Sequence, residues 1–175
     1  WQDLRVGDIV HLSNNETMPA DILLLKSSEP QGICYIETCD LDGETSLKRR
    51  QVVRGFDEKL ADFAPSKFIS KLEIDSPTTK IYRFHGTMVH PSGKRVPIST
   101  ENLLLRESRL KVINEELFIH SRVVNTLPYL EYINVEGLVV YAGHETKAML
   151  NNSGPRYKRS QLEQKMNIDV VWFVE

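Results

Sequence analysis

Along its first half, the chain alternates short apolar runs with clusters of Gly, Pro, Asn or Asp. Residues 9–12, 22–25 and 33–36 have strand length and lie about a dozen residues apart. Turn signals fall at 14–15, 29–32, 42–43 and 91–93, and further strands are predicted at 81–84, 87–89, 103–105 and 137–141. This pattern predicts a mainly β domain with short helices, built as a β-sandwich or jelly roll.

Two segments break the β pattern. Phe56, Leu60 and Phe63 recur at helical spacing and predict a short helix within 56–67, and the chain turns helical again from Lys158 onward. The last segment contains an apolar run at 170–174. A membrane helix needs about 20 such residues, so the run is interpreted either as the start of one or as the end of a hydrophobic helix.

Length and charge narrow the class of protein. A chain of 175 residues is long enough for one compact core and gives little reason to predict two domains. Its 22 Lys and Arg against 24 Asp and Glu give a net charge of −2, which argues against a nucleic-acid partner. The short basic runs Lys48-Arg49-Arg50 and 156–159 are interpreted as solvated faces.

Several familiar kinds of site are not supported by the residue spacing. Cys34 and Cys39 lie five apart, which fits neither a zinc pair nor a redox dithiol, so two free thiols are predicted, as in a reducing compartment. The five histidines lack the three- or four-residue spacing of a metal site. Neither nucleotide-binding glycine motif nor the hydrolase Gly-x-Ser-x-Gly elbow occurs.

The loop Asp42-Gly43-Glu44-Thr45 is the candidate for chemistry. Alone it favours an ordinary solvated turn, because Asp-Gly is a common turn dipeptide. Its setting adds information, since it lies within an ordered series of distinctive segments. These are 19–25 (Pro-Ala-Asp-Ile-Leu-Leu-Leu), 32–38 (Gly-Ile-Cys-Tyr-Ile-Glu-Thr), 41–48 (Leu-Asp-Gly-Glu-Thr-Ser-Leu-Lys), 84–87 (Phe-His-Gly-Thr), 101–106 (Glu-Asn-Leu-Leu-Leu-Arg) and 141–147 (Tyr-Ala-Gly-His-Glu-Thr-Lys).

In order and spacing these segments resemble the actuator domain of type IV P-type ATPases, the phospholipid flippases. The resemblance covers most of the chain, and residues 151–160 are most similar to the class 5 flippases, whose substrates include choline phospholipids and glucosylceramide. It implies that 1–175 form a single distorted jelly-roll domain in the cytosol, between the second and third membrane helices of an integral membrane protein. It also implies that 157–175 form a helical stalk leading to the third helix. Residues 112–134 depart from the family pattern as an apolar insertion.

The resemblance further implies a catalytic role for the loop. In such pumps Glu44 would orient and partly deprotonate the water that hydrolyses an aspartyl phosphate on another domain. Gly43 would let the backbone approach the phosphoryl group, Thr45 would donate a hydrogen bond, and Asp42 would fix the loop's shape. Mg²⁺ and ATP would be bound mainly by the phosphorylation and nucleotide-binding domains of the same protein, because this chain has no oxygen-ligand cage of its own. The phosphorylation signature Asp-Lys-Thr-Gly-Thr does not occur in these residues, so the chain alone is not expected to hydrolyse ATP. An accessory subunit and a phospholipid or glucosylceramide substrate are the other implied partners.

The competing hypothesis is a β module without catalytic activity. It would use the 112–134 insertion and the Lys48-Arg49-Arg50 cluster to bind a protein partner or a membrane surface. This hypothesis leaves the ordered series of motifs unexplained.

Overall fold

A computed structural model of the chain describes residues 3–53, 68–111 and 134–152. The strands in these ranges are β1 Ile9–Ser13, β2 Asp21–Ser27, β3 Ile33–Glu37, β4 Lys48–Gln51, β5 Lys71–Ile74, β6 His85–Val89, β7 Arg95–Ser99, β8 Leu103–Leu104, β9 Arg109–Lys111 and β10 Asn134–Tyr141. The α-helices are α1 Cys39–Asp42 and α2 Lys147–Asn151, and short 3-10 turns occur at Thr100–Asn102 and Gly143–Glu145.

The strands form three antiparallel sheets. A four-stranded sheet has the order β1-β10-β2-β8, and two three-stranded sheets have the orders β4-β3-β9 and β5-β6-β7. Each strand pairs antiparallel with its neighbours. The prediction of a mainly β, sandwich-like domain with short helices is confirmed.

Strand β2 is buried on both of its faces, and this explains its apolar run. Ile22 and Leu24 pack in a core cluster that includes Ile36 of β3. Leu23 and Leu25 point the other way, into a cluster that includes Met88 of β6. Because alternate side chains of a strand face opposite sides, only a continuous apolar run can fill both cores.

Close passage of β10 past β2 requires a glycine. A Cβ at Gly137 would lie 2.3 Å from Cγ2 of Ile22 and 2.7 Å from the carbonyl oxygen of Leu23. The strand register also shifts between Glu136 and Gly137. Gly137 therefore allows the two central strands of the domain to pair at this distance.

Most predicted strands are confirmed, and one is wrong. The runs at 9–12, 22–25, 33–36, 87–89 and 137–141 lie within strands, and 103–105 begins with β8. Residues 81–84 instead form a turn and an extended lead into β6. Their backbone is used elsewhere: the Arg83 N–H donates to the Lys80 carbonyl, and the Arg83 carbonyl accepts a hydrogen bond from the Lys147 ammonium.

Four strands were not predicted, because they are short or polar: β4, β5, β7 and β9. β7 even contains a proline, Pro97, which is tolerated because β7 lies at a sheet edge. The predicted helix at 56–67, the predicted stalk at 157–175 and all of the 112–134 insertion except Asn134 lie outside the described residues. In the part of the chain that the structure describes, no helix has the length and apolar character needed to cross a membrane.

Candidate functional site

A buried threonine at the end of β3, Thr38, fixes the start of the loop at 42–45 by hydrogen bonds. Thr38 is fully buried, and its carbonyl accepts the N–H groups of Leu41 and Asp42 at 2.8 and 3.1 Å. Its hydroxyl donates to the Asp42 carboxylate, 3.0 Å from Oδ1. Thr38 therefore fixes both the backbone and the side chain of Asp42 where α1 ends.

Gly43 then reverses the chain. It ends α1 in the left-handed conformation with φ 75°, and its N–H donates to the Cys39 carbonyl at 2.9 Å. This φ favours glycine because an L side chain would crowd the backbone. The next N–H, that of Glu44, donates to Asp42 Oδ1 at 2.9 Å, so Asp42 also anchors the residue that follows the turn.

Lys48 joins the two carboxylates of the loop. Its Nζ lies 2.6 Å from Asp42 Oδ2 and 2.8 Å from Glu44 Oε2. The Lys48 and Asp42 side chains are 17% and 14% exposed, whereas Glu44 is 57% exposed. Glu44 thus presents its carboxylate to solvent while one of its oxygens is held by a partly buried cation.

The aromatic side chain of Tyr82 completes the site. The Tyr82 hydroxyl accepts a hydrogen bond from Lys48 Nζ, and this nitrogen lies 4.1 Å from the centroid of the Tyr82 ring. Tyr82 belongs to the 81–84 segment, 34 residues further along the chain. The ammonium is therefore surrounded by two carboxylates and one phenol.

The protonation of this cluster follows from its contacts. Desolvation alone would raise the pKa of Asp42, but hydrogen bonds from Lys48, from the Glu44 N–H and from Thr38 outweigh it and hold this pKa below its ordinary value. Desolvation would likewise lower the pKa of Lys48, but its bonds to Asp42 and Glu44 dominate and raise it. Asp42 is thus ionised and Lys48 protonated at neutral pH.

The backbone around Tyr82 is held in place by Thr100 and by the buried Lys147. The Thr100 hydroxyl donates to the Tyr82 carbonyl at 3.0 Å and accepts the Phe84 N–H at 3.2 Å. Lys147, which is 1% exposed, donates from Nζ to the Arg83 carbonyl at 2.8 Å. Lys147 Nζ also lies 3.3 Å from the Lys80 carbonyl, to which it donates, so the segment that carries Tyr82 is fixed on both sides of this residue.

Lys147 in turn belongs to a buried polar cluster around Asp21. The Asp21 carboxylate accepts the N–H groups of Arg106 at 2.8 Å and of Lys147 at 2.7 Å. Burial raises the pKa of Asp21, and the two N–H donors together with the charges of Lys147 and Arg106 act against that rise. The guanidinium of Arg106 donates to the Gly143 carbonyl at 2.9 Å. Three of the distinctive sequence segments, 19–25, 101–106 and 141–147, thus meet at one carboxylate.

The structure brings three of the four predicted site residues into one hydrogen-bonded turn: Asp42, Gly43 and Glu44. Thr45 follows as an exposed residue. The interpretation of Lys48-Arg49-Arg50 as a solvated face is wrong for two of its members. Lys48 binds the loop, and Arg50 is 6% exposed and donates from Nε to the Leu103 carbonyl at 2.8 Å.

Lys48 and Tyr82 were not predicted as site residues. The separation of four between Glu44 and Lys48 was visible in the sequence, but it signals an ion pair only if the segment folds back on itself. Tyr82 left no local signal, since its contact with Lys48 depends on the packing of distant segments.

The loop does not fit a magnesium site. Its two carboxylates both bind the Lys48 ammonium, whereas Mg²⁺ needs a set of oxygen ligands that no cation already occupies. Among residues 3–53, 68–111 and 134–152, no group of three or more His, Cys, Asp or Glu side chains is placed to hold a metal ion.

Comparison with known proteins relates nearly the whole chain to one group. It is 51% identical to human phospholipid-transporting ATPase VA over 174 residues, which is 99% of this chain and 10% of that protein. Identity to human phospholipid-transporting ATPase VD is 50%, over 99% of this chain and 11% of that protein. Phospholipid-transporting ATPase 1 of Arabidopsis thaliana is 37% identical over 98% of the chain and 13% of its own length. No family model matches the chain.

The chain thus spans about a tenth of the length of these two human relatives. The predicted resemblance to type IV P-type ATPases, with class 5 foremost, is confirmed: the chain is 45–51% identical to one segment of human phospholipid-transporting ATPases VA, VD and VB.

Proposed function

We propose that this chain, which matches one segment of type IV P-type ATPases, is the actuator domain of a phospholipid-transporting ATPase. It would lie in the cytosol, between the second and third membrane helices of an integral membrane protein, with 157–175 leading into the third. Its task would be to hydrolyse the aspartyl phosphate formed on another domain of the same protein. The observation that carries this proposal is the exposed Glu44 carboxylate at the tip of a rigidly held turn.

In the proposed reaction Glu44 orients a water molecule in line with the phosphorus atom and accepts one of its protons. The water oxygen forms a bond to phosphorus as the bond between phosphorus and the aspartate oxygen breaks. The products are inorganic phosphate and a free aspartate carboxylate. A carboxylate that is 57% exposed is accessible to a phosphoryl group brought by a second domain.

The neighbours of Glu44 have supporting roles. Asp42 accepts the Glu44 N–H and so holds the turn, and Gly43 keeps side-chain atoms away from the approaching phosphoryl group, since nothing lies within 4 Å of its Cβ position. Thr45 is exposed beside Glu44 and has a hydroxyl that would donate a hydrogen bond to a phosphoryl oxygen.

The remaining parts of the reaction belong to other domains. ATP and Mg²⁺ would be bound by the phosphorylation and nucleotide-binding domains, in agreement with a loop whose carboxylates are committed to Lys48. The transported lipid, a phospholipid or glucosylceramide, and an accessory subunit would bind outside this chain. Docking of the loop in one state of the cycle would couple lipid translocation, from the exoplasmic to the cytosolic leaflet, to dephosphorylation.

The competing hypothesis of an interaction module loses one of its two supports. It relied on a free basic surface at 48–50, but Lys48 and Arg50 both bind other groups of the domain, and only Arg49 is exposed. The other support of this hypothesis, the 112–134 insertion, lies outside the described residues except for Asn134.

The test is phosphoenzyme decay in the full-length protein that carries this segment. Glu44→Gln should leave phosphorylation by ATP intact and slow the decay of the phosphoenzyme by about a hundredfold or more, because the amide has no basic carboxylate. Glu145→Gln is the matched control, since it neutralises an exposed carboxylate on the Gly143–Glu145 turn, outside the loop. Decay of the Glu44→Gln phosphoenzyme at the normal rate would refute the proposed function.

A further inference from the structure

We propose that Lys48, held by Tyr82, is the positioning residue that places the Glu44 carboxylate and offsets the negative charge of the loop. The inference rests on the proposed function and assigns to that reaction two residues that do not themselves act on the phosphate.

The Lys48 ammonium has an acceptor for each of its donors. A protonated lysine has three N–H donors and no acceptor. Three acceptors surround Nζ: Asp42 Oδ2 at 2.6 Å, Glu44 Oε2 at 2.8 Å and the Tyr82 hydroxyl. Because each N–H group of the ammonium already has an acceptor, rotation of the ammonium would break hydrogen bonds without forming better ones. Lys48 therefore fixes Glu44 relative to Asp42, which the Thr38 hydroxyl already holds from the other side.

Lys48 also offsets the negative charge of the loop. Asp42 and Glu44 are two carboxylates two residues apart, and the proposed partner is a phosphoryl group with negative oxygens. Without a cation, each approach of the loop to that group would bring like charges together. Lys48 supplies one positive charge within 3 Å of both carboxylates, and its 17% exposure limits screening by solvent.

Lys48 is itself supported by Tyr82. The Tyr82 ring covers the ammonium at 4.1 Å from its centroid, a distance at which a cation is attracted to the ring. The Tyr82 carbonyl is fixed by Thr100, and the neighbouring Arg83 carbonyl by the buried Lys147. A flexible lysine is thus held against a rigid part of the domain, which is what positioning requires.

The experiment compares charge variants in the full-length protein, with decay of the phosphoenzyme as the readout. Lys48→Met keeps the apolar stem but removes the ammonium, and is expected to slow decay by about tenfold to a hundredfold while phosphorylation by ATP persists. Arg49→Met is the matched control, because it removes an exposed positive charge from the next position of β4. The phosphoenzyme of Arg49→Met is expected to decay at the rate of the unmodified protein.

Two further variants separate positioning from a packing role. Lys48→Arg restores the charge and should recover a large part of the lost rate, whereas a role in packing alone predicts that Lys48→Met is already normal. Tyr82→Phe keeps the ring but loses the acceptor, so it should slow decay less than Lys48→Met does. The double variant should be no slower than Lys48→Met alone, since both changes act on one contact.

The outcomes distinguish this inference from the proposed function. If Glu44→Gln blocks decay but Lys48→Met and Tyr82→Phe decay normally, the positioning role is wrong and the proposed function stands. If Glu44→Gln decays normally, the proposed function itself is wrong. Should Lys48→Met fail to become phosphorylated, Lys48→Gln, which also lacks the positive charge, carries the test together with Tyr82→Phe, and normal phosphoenzyme decay in both variants overturns the inference.

Discussion

The Asp21 carboxylate accepts the backbone N–H of Lys147 at 2.7 Å across a separation of 126 residues. Its other oxygen accepts the N–H of Arg106 at 2.8 Å. One fully buried side chain therefore connects the start of β2, the segment after β8 and the start of α2. Because the Lys147 side chain also holds the Arg83 carbonyl, this connection extends to the segment that supports the candidate loop.

Replacing Asp21 with Asn should destabilise the domain. An amide keeps one acceptor oxygen but turns its NH₂ group toward the N–H that the other oxygen had accepted, which leaves a buried donor unsatisfied. The expected loss in the free energy of unfolding is about 1–3 kcal/mol. Urea unfolding of the 175-residue chain measures it.

Asp8→Asn is the control for that change. The Asp8 carboxylate accepts the backbone N–H of Arg5 at 2.7 Å in an exposed turn, so the amide of asparagine can rotate its oxygen to the donor. Asp8→Asn should lower the free energy of unfolding by no more than about 0.5 kcal/mol. Equal effects of the two substitutions would contradict the role given to the Asp21 cluster.

Replacing Gly43 with Ala should weaken the end of α1 through the backbone alone. Its φ of 75° is unfavourable for an L side chain, whereas nothing lies within 4 Å of the Cβ position. The expected loss is about 1–2 kcal/mol, and Gly43→Asn should cost less, because asparagine tolerates this conformation better. Thermal unfolding of the unmodified chain, Gly43→Asn and Gly43→Ala measures the order of their stabilities.

Gly93→Ala is the matched control for the function of Gly43. Gly93 has φ 81° and the same open space at its Cβ position, but it lies in the turn between β6 and β7. Both alanine variants should lose similar stability. Only Gly43→Ala should also slow phosphoenzyme decay in the full-length protein, and a similar slowing in Gly93→Ala would point to a general loss of stability instead.

The contribution of Asp42 to stability should depend on pH. Its pKa in the folded domain lies below the ordinary value of 3.8, so the unfolded chain binds a proton more readily. The stabilisation by Asp42 is therefore complete above about pH 5 and is lost as the pH falls from the unfolded-state value through the folded-state pKa. Urea unfolding of the unmodified chain and of Asp42→Asn between about pH 2.5 and 7 measures the difference.

Asp40→Asn controls for the loss of a charge in the same helical turn, because Asp40 is exposed. The stability difference caused by Asp42→Asn should shrink toward zero at the acid end of the series. A difference that does not change with pH would show that the pair with Lys48 is not its source.

Much of this protein could be read from local patterns. The apolar run at 22–25 predicted a strand because burial on two faces demands apolar side chains at every position. The loop at 42–45 could be found because its four residues are contiguous and lie in a recognisable series of segments. For the same reason the family resemblance needed no knowledge of the fold.

Contacts between distant residues depended on the tertiary structure. Lys48 and Arg50 look like part of a solvated basic run, and only the packing of β4 shows that both bind groups inside the domain. Tyr82 lies in a segment whose pattern predicted a strand, but the Tyr82 carbonyl accepts the Thr100 hydroxyl and the Arg83 carbonyl accepts the Lys147 ammonium, two remote side-chain donors. Hydrophobic periodicity reports which face of a segment is buried, and it carries no information on which remote donor or acceptor will meet it.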